Sequence, residues 1–141
     1  MTGADLQTVR SYFAEAVPFA GEMGFSVDEV GDVRAVVRFT YDDRWTRPGQ
    51  IINGGTLMAL ADLAVYAAIF GRVGVVPLAV TNELKMNFLR PAIGSDVLAT
   101  ATLPKVGRRV AYGLVDLTTP AEPDRLVAQA TASYLLPAKP G

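Results

Sequence analysis

The sequence predicts an α+β fold in which an antiparallel sheet curls around one long central helix. Three observations predict it. From Leu57 to Phe70 the only side chains bearing a polar group are Asp62 and Tyr66, and a helix apolar on every face is enclosed by protein or lipid. Around that segment the chain alternates with a period of two over several short stretches, as strands with one buried face do. The connections between the later stretches are short, as between antiparallel neighbours.

Taken in order, Leu6, Val9, Phe13 and Val17 recur at spacings of three and four, which predicts a short amphipathic helix ended by Pro18 and Gly21. Phe25 to Val30 reads as a first strand, Gly31-Asp32 as a turn and Val33 to Thr40 as a second strand, with Val33, Ala35, Val37 and Phe39 on one face. Tyr41 to Ile52 shows no period and reads as a loop. Its Trp45, the only tryptophan, is either a lid over a pocket or an anchor onto the core. The central helix opens on Asn53-Gly54-Gly55-Thr56 and closes at Gly71.

Leu78 to Leu89, Val97 to Leu103, Val110 to Thr118 and Leu126 to Leu136 complete the strands; in the last, Leu126, Ala128, Ala130, Ala132 and Tyr134 share a face. Pro137 to Gly141 reads as a frayed tail. Length and composition predict a single domain over residues 1–141. One sheet cannot cover every side of an apolar helix, so a second copy of the chain is expected to complete its burial.

Composition excludes several classes of function. A net charge of −1 provides no basic field for nucleic acid. The apolar run is broken at Asp62 and is expected to be too short to span a bilayer, and Met1 to Asp5 lacks the basic and apolar regions of a signal peptide, so no membrane partner and a cytoplasmic location are expected. The chain has 0 Cys and 0 His. No disulfide, thiolate nucleophile, Cys/His zinc site or histidine triad can be built from it. An enzyme without a redox cofactor must then take its general base from Asp, Glu, Lys or Tyr. Asp62 is the first candidate, because a carboxylate inside an apolar helix is costly unless it is paired, and such groups cluster where chemistry happens. The alternative is a thin exposed stripe or a bond to nearby backbone.

Two motifs extend this reading. Asn53-Gly54-Gly55 is followed after six residues by Asp62, and Thr81-Asn82-Glu83-Leu84-Lys85-Met86-Asn87-Phe88-Leu89-Arg90-Pro91-Ala92 leads into Gly94-Ser95-Asp96. Together, in this order, they resemble the hotdog-fold acyl-CoA thioesterases of the PaaI-type, 4-hydroxybenzoyl-CoA thioesterase-like branch, over nearly the whole chain. The resemblance implies a hotdog fold and hydrolysis of a small or medium acyl-CoA thioester, aromatic ones included. CoA is then part of the substrate and no separate cofactor or metal is implied.

The resemblance also assigns roles. The Gly54 amide polarises the thioester carbonyl, Asp62 acts as general base or nucleophile, Thr81 orients the carboxylate or the water, and Asn53 stands at the position of a usual His. Gly55 borders the substrate. Arg47 stands where an Asn or Gln is common, and it either binds an anionic part of the substrate or neutralises Asp42 or Asp43. Arg90, Lys105, Arg108 and Arg109 either meet phosphates of the CoA or form solvated turns, and Met23, Phe25, Tyr66 and Phe70 line an acyl pocket or belong to the core. Gly54 and Asp62 lie 8 residues apart, about 12 Å along one helix, too far to serve one carbonyl. A homodimer is therefore required, with pairing into a dimer of dimers expected. The alternative from another class is a non-catalytic acyl-CoA-binding hotdog protein.

Overall fold

The computed structural model describes residues 2–138; the tail expected to fray lies outside the described residues from Lys139 onward. The elements run α1 (Leu6–Ala16), α2 (Pro18–Glu22), β1 (Phe25–Val30), β2 (Arg34–Phe39), β3 (Thr46–Arg47), β4 (Ile51–Ile52), α3 (Gly54–Val73), β5 (Val80–Phe88), β6 (Val97–Val106), β7 (Val110–Thr118) and β8 (Ala128–Leu135). The main sheet has the order β1-β2-β6-β7-β8-β5 and is antiparallel throughout. The strand that follows α3 therefore joins the far side of the sheet, and β5 and β1 are its edges.

The period-two faces seen in the sequence are the faces that α3 covers. Val97, Ala99 and Ala101 of β6, Ala111, Val115 and Leu117 of β7, and Ala128, Ala130, Ala132 and Tyr134 of β8 are buried. Alanine-rich strands let the helix approach closely. At Gly113 the approach is closest, since a Cβ there would lie 2.9 Å from a γ-carbon of Val65. The side of α3 away from the sheet is closed by α1, whose Val9 and Phe13 are buried and whose Tyr12 ring centre lies 5.0 Å from that of Phe70.

Four expectations are corrected in detail. Pro18 starts a further short helix, α2, because its fixed φ suits the first helical position. The 41–52 segment is no plain loop: it holds a 3₁₀ turn at Asp43–Trp45 and the β3-β4 hairpin, strands too short to show a period. The central helix passes Gly71 and stops at Gly74, which takes φ 97°. With 20 residues α3 is also long and apolar enough to cross a bilayer, contrary to the expectation; 72% of its apolar window is instead buried inside the protein. The Asp96 that closes the second motif has a structural part. It accepts from Arg38 at 2.7 Å and from the Tyr41 amide at 2.8 Å, and Asp28 and Asp96 together hold the Arg38 guanidinium above its ordinary pKa.

Candidate active site

Asp62 projects from α3 toward the end of the sheet where β5 and β8 pair, with Thr81 opposite Tyr134 in register. Its carboxylate is half-buried. Oδ1 accepts from Thr81 Oγ1 at 2.6 Å and from the Tyr134 hydroxyl at 2.7 Å, and that hydroxyl also lies 3.0 Å from the carbonyl oxygen of Asp62 itself. Oδ2 has no hydrogen-bond partner among the described residues. A β-bulge between Thr81 and Glu83 makes this possible: it inserts Asn82, so that Thr81 and Leu84, three apart, both turn toward the helix.

Tyr134 is 3% exposed. Burial first, and the neighbouring Asp62 charge second, push its pKa well above that of an ordinary tyrosine, so it is a proton donor at any physiological pH. Its ring stacks on Tyr66 with centres 6.0 Å apart. The Tyr66 hydroxyl donates to the Pro77 carbonyl at 2.9 Å, which leaves its oxygen to accept from Tyr12 at 3.0 Å. Burial, and then the Tyr12 bond, raise the Tyr66 pKa as well. Tyr66 thus sits behind the carboxylate, tying α1 and α3 to the segment that leads into Thr81.

The other end of interest is the start of α3. Asn53 is its N-cap: Oδ1 accepts from the Thr56 amide at 2.8 Å, while Nδ2 donates to the Trp45 carbonyl at 2.8 Å. Both ends of the Asn53 side chain are occupied in fixing the helix start. The amides of Gly54 and Gly55 have no partner among the described residues, and they carry the positive end of the helix dipole. Gly54 opens into a groove of about 370 Å³ bordered by Arg47, Leu57, Phe88, Arg90 and Ala92. The Phe88 ring lies so close over Gly54 that a Cβ there would be 3.2 Å from it.

The basic residues divide between the two ends. Arg47 on β3 is exposed and makes no ion pair among the described residues; Asp42 pairs with Arg44 instead, at 2.9 Å. Arg90 is held at the groove rim by a bond from its guanidinium to the Leu126 carbonyl at 3.0 Å. Arg108 and Arg109 lie in the exposed β6-β7 turn, with Arg109 bonded to the Leu136 carbonyl at 3.3 Å, on the Asp62 side of the sheet. Lys105 is exposed at the end of β6. Phe25, Tyr66 and Phe70 are buried in the aromatic core, and Met23 packs against it. Trp45 also packs against the core, the anchor of the two readings left open for it.

Comparison with known proteins decides the family. The model of the thioesterase superfamily matches residues 49–128, more than half of the chain and the stretch that contains Gly54, Asp62 and Thr81. The chain belongs to the thioesterase superfamily. It is similar to a candidate thioesterase from a Silicibacter species, at 31% identity and a TM-score of 0.87 over 97% of this chain and 94% of the other. A mutant of the phenylacetic acid degradation protein PaaI from Thermus thermophilus is 28% identical, with a TM-score of 0.74 over 85% of this chain and 99% of the other. Among curated proteins, a candidate esterase of Halobacterium salinarum is 29% identical over 86% of this chain and 85% of its own. The helix wrapped by a six-stranded sheet is the hotdog fold of this superfamily, and the chain is a thioester hydrolase.

Within that superfamily fold, sequence reasoning singled out Asp62, Thr81, Asn53 and Gly54 but missed Tyr134 and Phe88. Tyr134 is the one bulky, hydroxyl-bearing residue at the end of the row Ala128, Ala130, Ala132. A buried hydroxyl needs a partner, and the partner was the one carboxylate in the central helix. Phe88 gave no such signal, because its contact with Gly54 depends on how β5 crosses the helix start.

Proposed function

We propose that this superfamily member hydrolyses small or medium acyl-CoA thioesters, aliphatic or aromatic, at sites shared between two copies of the chain. The observation that carries this reading is the pairing of a carboxylate held by one oxygen with two free amides about 12 Å away along the same helix. Asp62 serves as general base or as nucleophile, and with 0 His in the chain no imidazole competes for either role. As base, Oδ2 takes a proton from a water whose oxygen attacks the carbonyl carbon. The carbonyl oxygen becomes an oxyanion held by the Gly54 and Gly55 amides of the partner, where preorganised donors act on developing charge. The C–S bond then breaks, and the CoA thiolate takes the proton back from Asp62. As nucleophile, Asp62 displaces the thiolate to form an anhydride that water hydrolyses.

The edge strand β5 supports the two-fold arrangement. Its unpaired edge suits a second β5 running antiparallel, and an axis through Lys85, with Asn82 bulged out, sets Thr81 opposite the partner subunit's Phe88. Asp62 of one copy, bonded to Thr81, then faces the helix start that lies under Phe88 in the other. Leu78, Val80, Phe88, Leu89 and Ile93 are exposed apolar residues on and beside this edge, and a second copy buries them. Pairs of such dimers and a cytoplasmic location complete the reading. Arg47 and Arg90, together with Arg108 and Arg109 from the other copy, attract the anionic parts of a CoA ester.

The test is hydrolysis of a panel of acyl-CoAs, phenylacetyl-CoA and benzoyl-CoA among them, by wild type and Asp62→Asn in parallel. Turnover is expected to fall by about a hundredfold or more in the variant. A variant that keeps the wild-type rate overturns the assignment of Asp62. CoA-ester binding without turnover by either protein makes the chain a binding module.

A further inference from the structure

The carboxylate of Asp62 needs a brace that its own helix does not supply. The terminal torsion of an aspartate is soft, so the plane of a half-buried carboxylate swings, and its unbonded oxygen with it, unless donors hold the group. Thr81 bonds Oδ1, but it does so from the bulged start of β5, where the ladder to β8 is interrupted. The second donor to the same oxygen is differently placed. Tyr134 belongs to β8, an interior strand paired on both sides by β5 and β7, and its ring is almost wholly buried and stacked on Tyr66. Its one hydroxyl proton goes to Oδ1 at 2.7 Å, the nearer of two acceptors, with the Asp62 carbonyl oxygen 3.0 Å away.

We propose that Tyr134 is a positioning residue for the hydrolysis: from the sheet interior it fixes Oδ1 of Asp62 and leaves Oδ2 as the one oxygen free to take a proton or attack. The inference rests on the reading of Asp62 as the base or nucleophile. It assigns to the core a part in catalysis that neither the apolar pattern of β8 nor the Asp62 helix reveals. Preorganisation of this kind matters because a reacting group must be held within a fraction of an ångström of its productive geometry. Tyr66 is the natural control. It is a second buried tyrosine of the same stack, and its hydroxyl is bonded to Pro77 and Tyr12 rather than to the carboxylate.

The experiment measures kcat, KM and urea midpoints for wild type, Tyr134→Phe, Tyr66→Phe and Asp62→Asn, on the acyl-CoA of the panel that the wild type turns over fastest. Tyr134→Phe is expected to lower kcat by about 10- to 100-fold, the range that a hydrogen bond to a charged group is worth, with KM changed by less than about twofold. Tyr66→Phe is expected to lower kcat by no more than about fivefold, since its hydroxyl holds the Pro77 segment ahead of Thr81 and does not touch Asp62. A Tyr134→Phe enzyme with wild-type kcat, or with the same loss as Tyr66→Phe, overturns the proposal. If Tyr134→Phe does not fold, 4-methylphenylalanine at position 134 fills the space of the hydroxyl without a proton to donate, and 4-aminophenylalanine keeps an N–H donor there. The first is expected to lower kcat by about 10- to 100-fold and the second to keep it within about threefold of wild type; equal kcat for the two overturns the proposal equally. Asp62→Asn separates the two failures. If it keeps the wild-type rate, the reading of Asp62 fails and Tyr134 falls with it; if it loses activity while Tyr134→Phe does not, only the role of Tyr134 fails.

Discussion

The two ends of the first half of α3 are built in opposite ways. At Asp62 the polar groups are satisfied inside the chain: one carboxylate oxygen takes two hydroxyl bonds, and behind it Tyr134, Tyr66 and Tyr12 run back to α1. At Gly54 the cap side chain is fully occupied, but the amides of Gly54 and Gly55 bond to nothing among the described residues, and Gly54 borders a groove with exposed arginines. A donor without a partner is costly when covered, so the Gly54 end is stable only while it meets water or an arriving acceptor. In the function proposed above, the chain finishes the proton-handling half of the site itself and leaves the oxyanion-binding half for the substrate.

The largest effect that could break this comparison comes from separating the halves on different chains. Gly54→Pro removes the amide donor and nothing else of note. Proline is well suited to the first helical position, and Asn53 already has φ −68° and ψ 149°, the conformation favoured before proline. The far end of the Phe88 ring, 3.2 Å from a Cβ there, has only a few tenths of an ångström to give. Loss of the donor is expected to lower kcat by about 100- to 1000-fold. When Gly54→Pro and Asp62→Asn chains are unfolded together and refolded, half of the dimers carry one of each. In the two-fold arrangement every mixed dimer has one site with both lesions and one with neither, so activity recovers to about a quarter of wild type. A site confined to one chain gives no recovery, and that outcome ends the shared-site reading.

A smaller effect sharpens the contrast in packing. Gly54 and Gly113 both have a neighbour where a Cβ would go, yet the neighbours differ. Over Gly54 it is the far end of the half-exposed Phe88, which yields. At Gly113 it is Val65, 0% exposed, with both γ-carbons at 2.9 and 3.0 Å from the Cβ position. A β-branched side chain locked in a helix has no other rotamer to take. Gly113→Ala is expected to destabilise the fold by about 1–3 kcal/mol, as overpacking does, measured as a lower urea midpoint. A midpoint equal to wild type shows that the Asp62 end is not tightly packed.

The same contrast explains what was legible in the sequence. Asp62 stood out because it is the lone carboxylate in an apolar helix, and Asn53 because a cap is a local signal three residues from the amide it bonds. The strands of the main sheet showed themselves by period. Tyr134 did not, because its bond to Asp62 joins residues 72 apart in sequence and depends on the strand order and on the bulge at Asn82. The β3-β4 hairpin escaped because two-residue strands are shorter than any period. Helix α2 escaped because a proline that ends one helix can begin another.

The smallest effect concerns the proton on Tyr134. Burial and the Asp62 charge hold its folded-state pKa above the value of 10.0 that an exposed tyrosine has. The sign follows from linkage. Below about pH 10 the hydroxyl is protonated in both folded and unfolded chains, and its contribution to stability is complete. Above that, the unfolded tyrosine ionises while the folded one cannot, so stability falls as pH rises, by at most about 1.4 kcal/mol per pH unit for this one group. Other groups titrate there too, Tyr66 among them, but they are common to wild type and Tyr134→Phe. The difference in slope between the two proteins, from urea midpoints at pH 8, 10 and 11, therefore isolates position 134, whatever their stabilities at pH 8. Wild type is expected to lose stability more steeply. Parallel slopes would mean that water reaches the Tyr134 hydroxyl in the folded protein, and a hydroxyl shared with water is a poor clamp for the carboxylate beside it.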